Sequence, residues 1–559
     1  MEARGALAVV AAMEALDLRQ IQDEGAREAI VRLMNLVEQL AAENRSLREQ
    51  VQRLQDELNR LKGQSPRPPV KGGKGPDRVN YSSEKERRQP QERQASSKLD
   101  KIVIDRDEPL VLDPATLPAD AERKGYETVV VQDLAIRTDN VRFVREKWYS
   151  ASAGESYLAP LPAGYEGQYG PGLRSLVTVL YYSVGTSEPK IVELLGNLGI
   201  LISDGQVSNL LIKKQEPFHA EAAAVRRAGL ASSPWQHLDV TGTTVNGVAE
   251  HCHVLTNPLY TAYDTRPTKD RLAVVDVLMG EQGRRYLLNE EAMGYLERLG
   301  LSAKRRREVA LLPWDEAMDS ATFEAQLVQV APELGPTQRR WVHEALSVAA
   351  YHAQTGYPVV RLLVCDDAHQ FNWVTDELGL CWIHEGRHYA KLFAVLVQHC
   401  ELLMDFRSRF WAYYRELLAY REAPSAAEAE RLAAAFDALF GTRTGFWPLD
   451  DRLALTYAKK DQLLAVLRHS EVPLHNNPAE LAARRRVRKR DVSFGPRTAE
   501  GTKAWDTFQT LAATAQKLNV SFYHYITDRI SGRRAMPALA DLITERAATL
   551  NLGTSWAGS

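Results

Sequence analysis

Cysteine is scarce in this chain: four among 559 residues, at Cys252, Cys365, Cys381 and Cys400. Scattered singly, they give no disulfide framework and suit a reducing compartment. No run of about 18 uncharged apolar residues is present, and the N-terminus, with Glu2 and Arg4, lacks a signal-peptide pattern. These absences predict a soluble cytoplasmic protein with no membrane partner. No Gly-x-x-x-x-Gly-Lys-Ser/Thr loop occurs, so nothing points to ATP. An excess of basic charge is missing too. Lys+Arg number 70 against 72 Asp+Glu, a net charge of −2, which excludes a uniformly basic nucleic-acid coat but not local patches. What remains is ordinary globular composition, 45% hydrophobic and 25% charged, in a chain long enough for three or more units.

The first clear pattern is a heptad repeat within residues 1–63. Ile30, Val37, Asn44, Val51 and Leu58 hold one position; Leu33, Leu40, Leu47, Leu54 and Leu61 hold another. β-Branched residues at a with leucine at d favour a parallel two-stranded coiled coil, and a lone Asn44 at a fixes register. A homodimer or higher homo-oligomer is expected, with Leu33, Leu40, Asn44, Leu47, Leu54 and Leu61 at its seam. Residues 64–101 then lose all periodicity, with ten Lys/Arg against five Asp/Glu among Pro, Gly and Gln, and read as a disordered basic linker. Residues 102–165 read as a small β-rich segment, with strands at Tyr126–Gln132 and Val141–Tyr149.

From residue 166 to 228 the pattern is helical. A helix over 187–199 ends at Gly199, and Ser203 with Gln206 forms a capping box that opens a second helix. This is a helix-turn-helix-like arrangement, in which Gln206, Ser208, Asn209 and Lys213 would face DNA. Strands follow at Gln236–Val245, His251–Thr256 and Leu259–Asp264. A helical stretch over 268–350 interrupts residues 229–385 before the run Val359–Asp366. Residues 386–474 are helical and aromatic, 475–530 carry two more helices, and 531–559 form a C-terminal tail. The order predicts an α/β fold: a ribonuclease-H-like catalytic core with two helical insertions, preceded by a coiled coil and a helix-turn-helix-like domain.

Three acids stand out in this frame. Asp239 lies in Trp235-Gln-His-Leu-Asp239-Val-Thr, and Asp366 closes Val359-Val-Arg-Leu-Leu-Val-Cys-Asp366, with Phe371 five residues on. Glu480 sits in His475-Asn-Asn-Pro-Ala-Glu480 and opens a helix running through Arg484, Arg485, Arg486, Arg488, Lys489 and Arg490. Strand alternation puts Asp366 and Asp367 on opposite faces, so one of them faces a site; the spacing Asp366-x-x-x-x-Phe371 resembles the Asp-Asn-Gly-x-x-Phe pattern of retroviral-type integrases and related transposases, which implies Asp366. Two strand-borne aspartates and a helix-borne glutamate are what two divalent cations, about 3.5–4 Å apart, need for phosphodiester chemistry. The basic run beside Glu480 is a candidate phosphate patch. Cys381-x-x-His384 lacks the spacing of a four-ligand zinc site, so packing, or orientation of substrate by His384, Arg387 and His388, is expected there.

With these residues in place, the chain resembles DDE transposases of the insertion-sequence-66 family. The shared marks are the leucine-zipper start, the block Leu198-Gly-Ile-x-Ile-Ser-x-x-Gln-Val-Ser-Asn-Leu and the Asp239 strand. Cys381-Trp-Ile-His384-x-x-Arg-His-Tyr, Asn476-Asn-Pro-Ala-Glu480-x-x-x-Arg, Ser493-Phe-Gly and Thr510-x-x-x-Thr514 complete them. The likeness spans most of residues 28–530. It departs where members carry a cysteine-rich zinc domain, since residues 102–165 contain no cysteine, and in the long 268–350 segment. A divergent branch is implied. So is metal-dependent cleavage at element ends and strand transfer into target DNA, with Asp239, Asp366 and Glu480 holding two Mg²⁺ or Mn²⁺ ions. The implied partners are double-stranded DNA, as element terminal repeats and target, and accessory proteins encoded by the same element, in a bacterial, nucleoid-associated setting. An inactive dimeric DNA-binding regulator and a structure-specific nuclease are the alternatives.

Overall fold

The structure, a computed structural model, describes residues 21–61, 102–113, 116–118, 121–123, 125–165 and 167–556. The expected linker, 64–101, lies outside the described residues. Helix α1 spans Glu24–Leu61. Residues 125–146 hold no strand; Tyr126, Val129 and Val131 lie exposed with nothing to pair against. In 102–165 the expected β-structure reduces to one hairpin, Lys147–Ser150 with Glu155–Leu158, because β-propensity without a partner edge closes no ladder. Helices follow, among them α2 (Glu188–Asn197) and α3 (Asp204–Ile212), and the Ser203–Gln206 capping box is present.

The fold is mixed α/β around a five-stranded sheet. Its strands are β1 (Trp235–Val245), β2 (Val248–Thr256), β3 (Thr261–Arg266), β4 (Leu362–Cys365) and β5 (Glu377–Leu380), in the order β3-β2-β1-β4-β5. β2 runs antiparallel to β1 and β3, while β4 and β5 run parallel to β1. β4 is buried along its whole length, as expected of a parallel strand covered on both faces. Between β3 and β4, helices build a separate small core around Phe323, Leu327, Val342 and Leu346.

After β5 come α4 (Trp382–Lys391), α5 (Val397–Glu422), α6 (Ala426–Phe440) and α7 (Trp447–Tyr457), packed around Trp382, Phe410, Phe436 and Phe440. α8 (Asn477–Ser493) and α9 (Ala499–Lys517) return to the sheet. α9 closes the outer edge of β3. Asp506, Thr510 and Thr514, one helical turn apart, accept the outward N–H groups of Thr265, Tyr263 and Thr261 at 2.8, 3.0 and 3.2 Å. A side-chain ladder thus satisfies an edge that would otherwise offer itself to other strands.

α1 docks on the helices after β5. Asn35 bridges Gly445 O and Trp447 N at 2.9 Å each, and the Glu38 carboxylate accepts from Val395 N (2.7 Å) and Leu396 N (2.9 Å) just ahead of α5. The acid sits where the helix N-terminal dipole welcomes it, and His399 donates to it from the next turn. Among the described residues no helix is long and apolar enough to cross a membrane.

Candidate active site

β1 carries His237 and Asp239 on one face. In the parallel pairing His237 lies opposite Val364. Continuing that register by two residues sets Asp366, just past the end of β4, level with Asp239. The charge of Asp366 reaches the Asp239 carboxyl from there. Asp367 departs from them and pairs with Lys459. The turn His369–Phe371 follows, and Phe371 is buried in the core, anchoring the loop behind Asp366.

Glu480 arrives on the first turn of α8, where Pro478 suits the helix start. Asn476, the preceding cap residue, fixes that start to β1. Its Nδ2 donates to Leu238 O at 2.9 Å, and its Oδ1 accepts from His237 Nδ1 at 3.0 Å. An amide oxygen only accepts, so Nδ1 of His237 holds the proton. Burial pulls that imidazole down to about 3, helped by nearby His475 and Lys517, and it stays neutral. Asn476 N–H also meets Cys381 Sγ at 3.3 Å, linking α8 to the start of α4.

The three acids feel one another. Asp239 is pushed up to about 7, by burial first and then by the negative charges of Asp366 and Glu480, against a 2.9 Å bond from its own neighbour Val240 N–H. Glu480 Oε2 accepts from Arg387 Nη2 at 3.4 Å, and Oε1 faces His384 Nδ1 at 3.7 Å. Arg387 Nη1 lies 3.0 Å from His384 Nε2, so the imidazole accepts there and carries its proton on Nδ1, toward Glu480. Burial lowers the His384 imidazole most, opposed by Glu480. Both Glu480 Oε1 and His384 Nδ1 are buried without a hydrogen-bond partner. Among the described residues the donors that lie within reach of the Glu480 oxygen as one group are Cys381 and His384, not the other two acids.

Cys381, His384 and Glu480 also bring a sulfur, a ring nitrogen and a carboxylate oxygen within 4.8 Å of one another. That is one donor short of a tetrahedral set, and burial pushes the Cys381 thiol up to about 11. Sequence spacing around Cys381 and His384 gave no sign of Glu480, because the third member comes from a different helix.

The remaining residues divide. Arg486 is fully buried, bound to Asp506, Gln509 and Thr265, and Lys489 is buried, bound to Thr186 O and Ser493. This corrects the expectation that both face DNA: the helix buries one side against the sheet and its covering helices, whatever charge that side carries. Arg485 and Arg488 are exposed, Arg484 is half-buried, and Arg490 donates to Gly242 O. Asn209 and Lys213 are exposed, whereas Gln206 is engaged by Tyr169 at 2.7 Å and Ser208 bonds Glu188. His388 is half-buried beside Arg452 and away from Glu480.

Against known proteins, the chain aligns with the uncharacterized protein y4jO of Sinorhizobium fredii (strain NBRC 101917 / NGR234). The two are 31% identical over 333 residues, 57% of this chain and 99% of that protein. The chain belongs to the family of y4jO. No protein-family model matches, and no solved structure matches.

Proposed function

We propose that this chain is a DDE-type DNA transposase, a divergent relative of the insertion-sequence-66 enzymes, which cuts DNA at element ends and joins them to target DNA. The convergence of Asp239, Asp366 and Glu480 supports this reading above all. The strand order β3-β2-β1-β4-β5 with β2 alone reversed is what a ribonuclease-H-like core would have. In this reading Asp239, Asp366 and Glu480 hold two Mg²⁺ or Mn²⁺ ions, which would supply an activated water and stabilise the leaving 3′ oxygen. Asn476 and His237 fix where Glu480 points, and His384 and Arg387 hold its carboxylate from the far side. Arg387 and the exposed arginines of α8 would hold the phosphates of double-stranded DNA. Two copies would pair through α1, in the bacterial cytoplasm at the nucleoid.

The test is cleavage of a labelled duplex carrying the flanking element ends, in Mg²⁺ or Mn²⁺. Wild type should cut and Asp366→Asn should not. Tight binding without cutting by either protein would favour a DNA-binding regulator, and cutting without strand transfer a nuclease.

A further inference from the structure

Cys381 ends the sheet and opens a helix. It follows β5 directly, its backbone N–H donates to Cys365 O at 3.1 Å, and it is the cap residue ahead of α4. His384 lies three residues on, in the first turn of α4. Glu480 reaches the same point from the first turn of α8. A sulfur, a ring nitrogen and a carboxylate oxygen thus meet within 4.8 Å, the one such group among the described residues.

The group has the marks of a ligand set. Glu480 Oε1 and His384 Nδ1 are both buried without a hydrogen-bond partner, and at 3.7 Å they are too far apart to satisfy each other. Two ligands of one tetrahedral zinc, each about 2.0–2.1 Å from it, lie about 3.3 Å apart, so an ion between them asks for little movement. Burial pushes the Cys381 thiol up, while the N–H groups of Asn476, His384 and Ile383 favour a thiolate, that of Asn476 from 3.3 Å. The sulfur also stands at the positive end of α4. Hydrogen bonds of this kind to sulfur are what hold and tune metal thiolates. Cys381 is 2% exposed, whereas the side chains of His384 and Glu480 are 31% and 14% exposed. The group is closed behind the sulfur and open in front, where water can complete three protein ligands to four.

We propose that Cys381, His384 and Glu480 bind one thiophilic divalent cation of the Zn²⁺ class, with water as the fourth ligand. A thiolate beside an imidazole suits zinc and not magnesium, which takes oxygen ligands. Binding forms one bond each to sulfur, nitrogen and oxygen and releases the thiol proton to solvent. Metal on Nδ1 puts the ring proton on Nε2, so Arg387 leaves that atom. The Arg387 side chain is 40% exposed and its bond to Glu480 is 3.4 Å long, so little holds it in place. On the proposed function the site is a control. An ion here ties Glu480 to Cys381 and His384 and withdraws its carboxylate from the two aspartates. That consequence rests on the transposase reading; the metal site does not.

The experiment strips the full chain with EDTA, removes the chelator and titrates Co²⁺, a substitute for zinc. Its visible d–d bands report tetrahedral geometry, and its near-ultraviolet charge-transfer band requires a thiolate ligand. One Co²⁺ per chain should give both signals, and Zn²⁺ should displace it. Cys381→Ser should abolish the charge-transfer band, and His384→Ala should weaken binding by more than the about 10–100-fold that losing a ligand's outer partner costs. Cys400→Ser and Asp366→Asn should keep the band, which separates this site from one built on the aspartates. Circular dichroism and thermal unfolding check that each variant is folded. No thiolate band in folded wild type, or a band that persists in Cys381→Ser, would overturn the site. Cleavage in Mg²⁺ then tests the control: Zn²⁺ should inhibit wild type at concentrations at least about tenfold lower than it inhibits Cys381→Ser. Equal inhibition would overturn the control over Glu480. The band in a protein that never cuts would leave this site standing and sink the transposase reading alone; cutting without the band would do the reverse.

Discussion

Arg486 is 0% exposed, held by Asp506, Gln509 and Thr265, with its guanidinium 4.2 Å from the Trp505 ring centroid. Arg488, two residues on, is exposed. The two are alike in sequence and opposite in consequence. Truncating Arg486 leaves the half-buried Asp506 carboxylate without its cation, and breaking a buried pair of this kind costs up to about 3–5 kcal/mol. Arg486→Ala should lower urea stability by that order, whereas Arg488→Ala should change it by less than about 0.5 kcal/mol. Comparable losses in the two variants would refute the division of α8 into a buried and a free arginine face. Charge runs are legible in a sequence; which members are spent inside the fold is not, because the helix phase against the sheet decides it.

At the scale of elements, α1 carries a docked face and an open, leucine-rich one. Its docked residues Val31, Met34, Asn35 and Glu38 occupy heptad positions b, e, f and b, at the back of a coiled coil. The d-position leucines stay open: Leu33, Leu40, Leu47, Leu54 and Leu61 are 55, 63, 59, 65 and 82% exposed. Docking on the chain's own helices therefore leaves the seam free for a second copy. Glu43 at g and Arg48 at e are five residues apart, the spacing that pairs opposite charges across a parallel dimer. An antiparallel one would bring g-position glutamates Glu43 and Glu57 against each other. Light scattering should give a dimer that Leu40→Asp/Leu47→Asp converts to a monomer. Leu58→Cys should form a disulfide-linked dimer under mild oxidation; an uncrosslinked dimer would rule out the parallel register. The heptads announce the seam, but the docked face is hidden because Asn35 and Glu38 are polar residues serving as backbone caps.

For the molecule as a whole, nearly balanced charge conceals a concentration of acids at one point. Asp239 is held at about 7, far above its ordinary 3.8, so the folded state binds that proton more tightly than the unfolded chain. The stability this contributes is complete below the ordinary value and is lost as pH climbs through about 7. In EDTA, Tm should fall between about pH 5 and about pH 8 and fall less in Asp239→Asn. On the proposed function, Mn²⁺ should restore Tm most at the alkaline end, since metal binding to ionised carboxylates would favour the native state. Parallel Tm curves for wild type and Asp239→Asn would show that Asp239 carries no such strain.

The sequence by itself determined the three leading strands to within a few residues, the Ser203–Gln206 cap, the helix from Ala499 and the long helix under the heptads. Each is a local matter of side-chain period, branching or capping. It also set out the three acids as candidates. Only the tertiary structure decided that Asp366 and Glu480 both act on the Asp239 carboxyl, and that Asn476 pins the start of α8 to β1. It alone brought Cys381 and His384 against Glu480, turned Arg486 and Lys489 inward, and left residues 125–146 without a partner strand. Those outcomes depend on strand register and on how one helix is rotated against the sheet. Both are fixed by burial summed over contacts distant in sequence, so no local pattern encodes them.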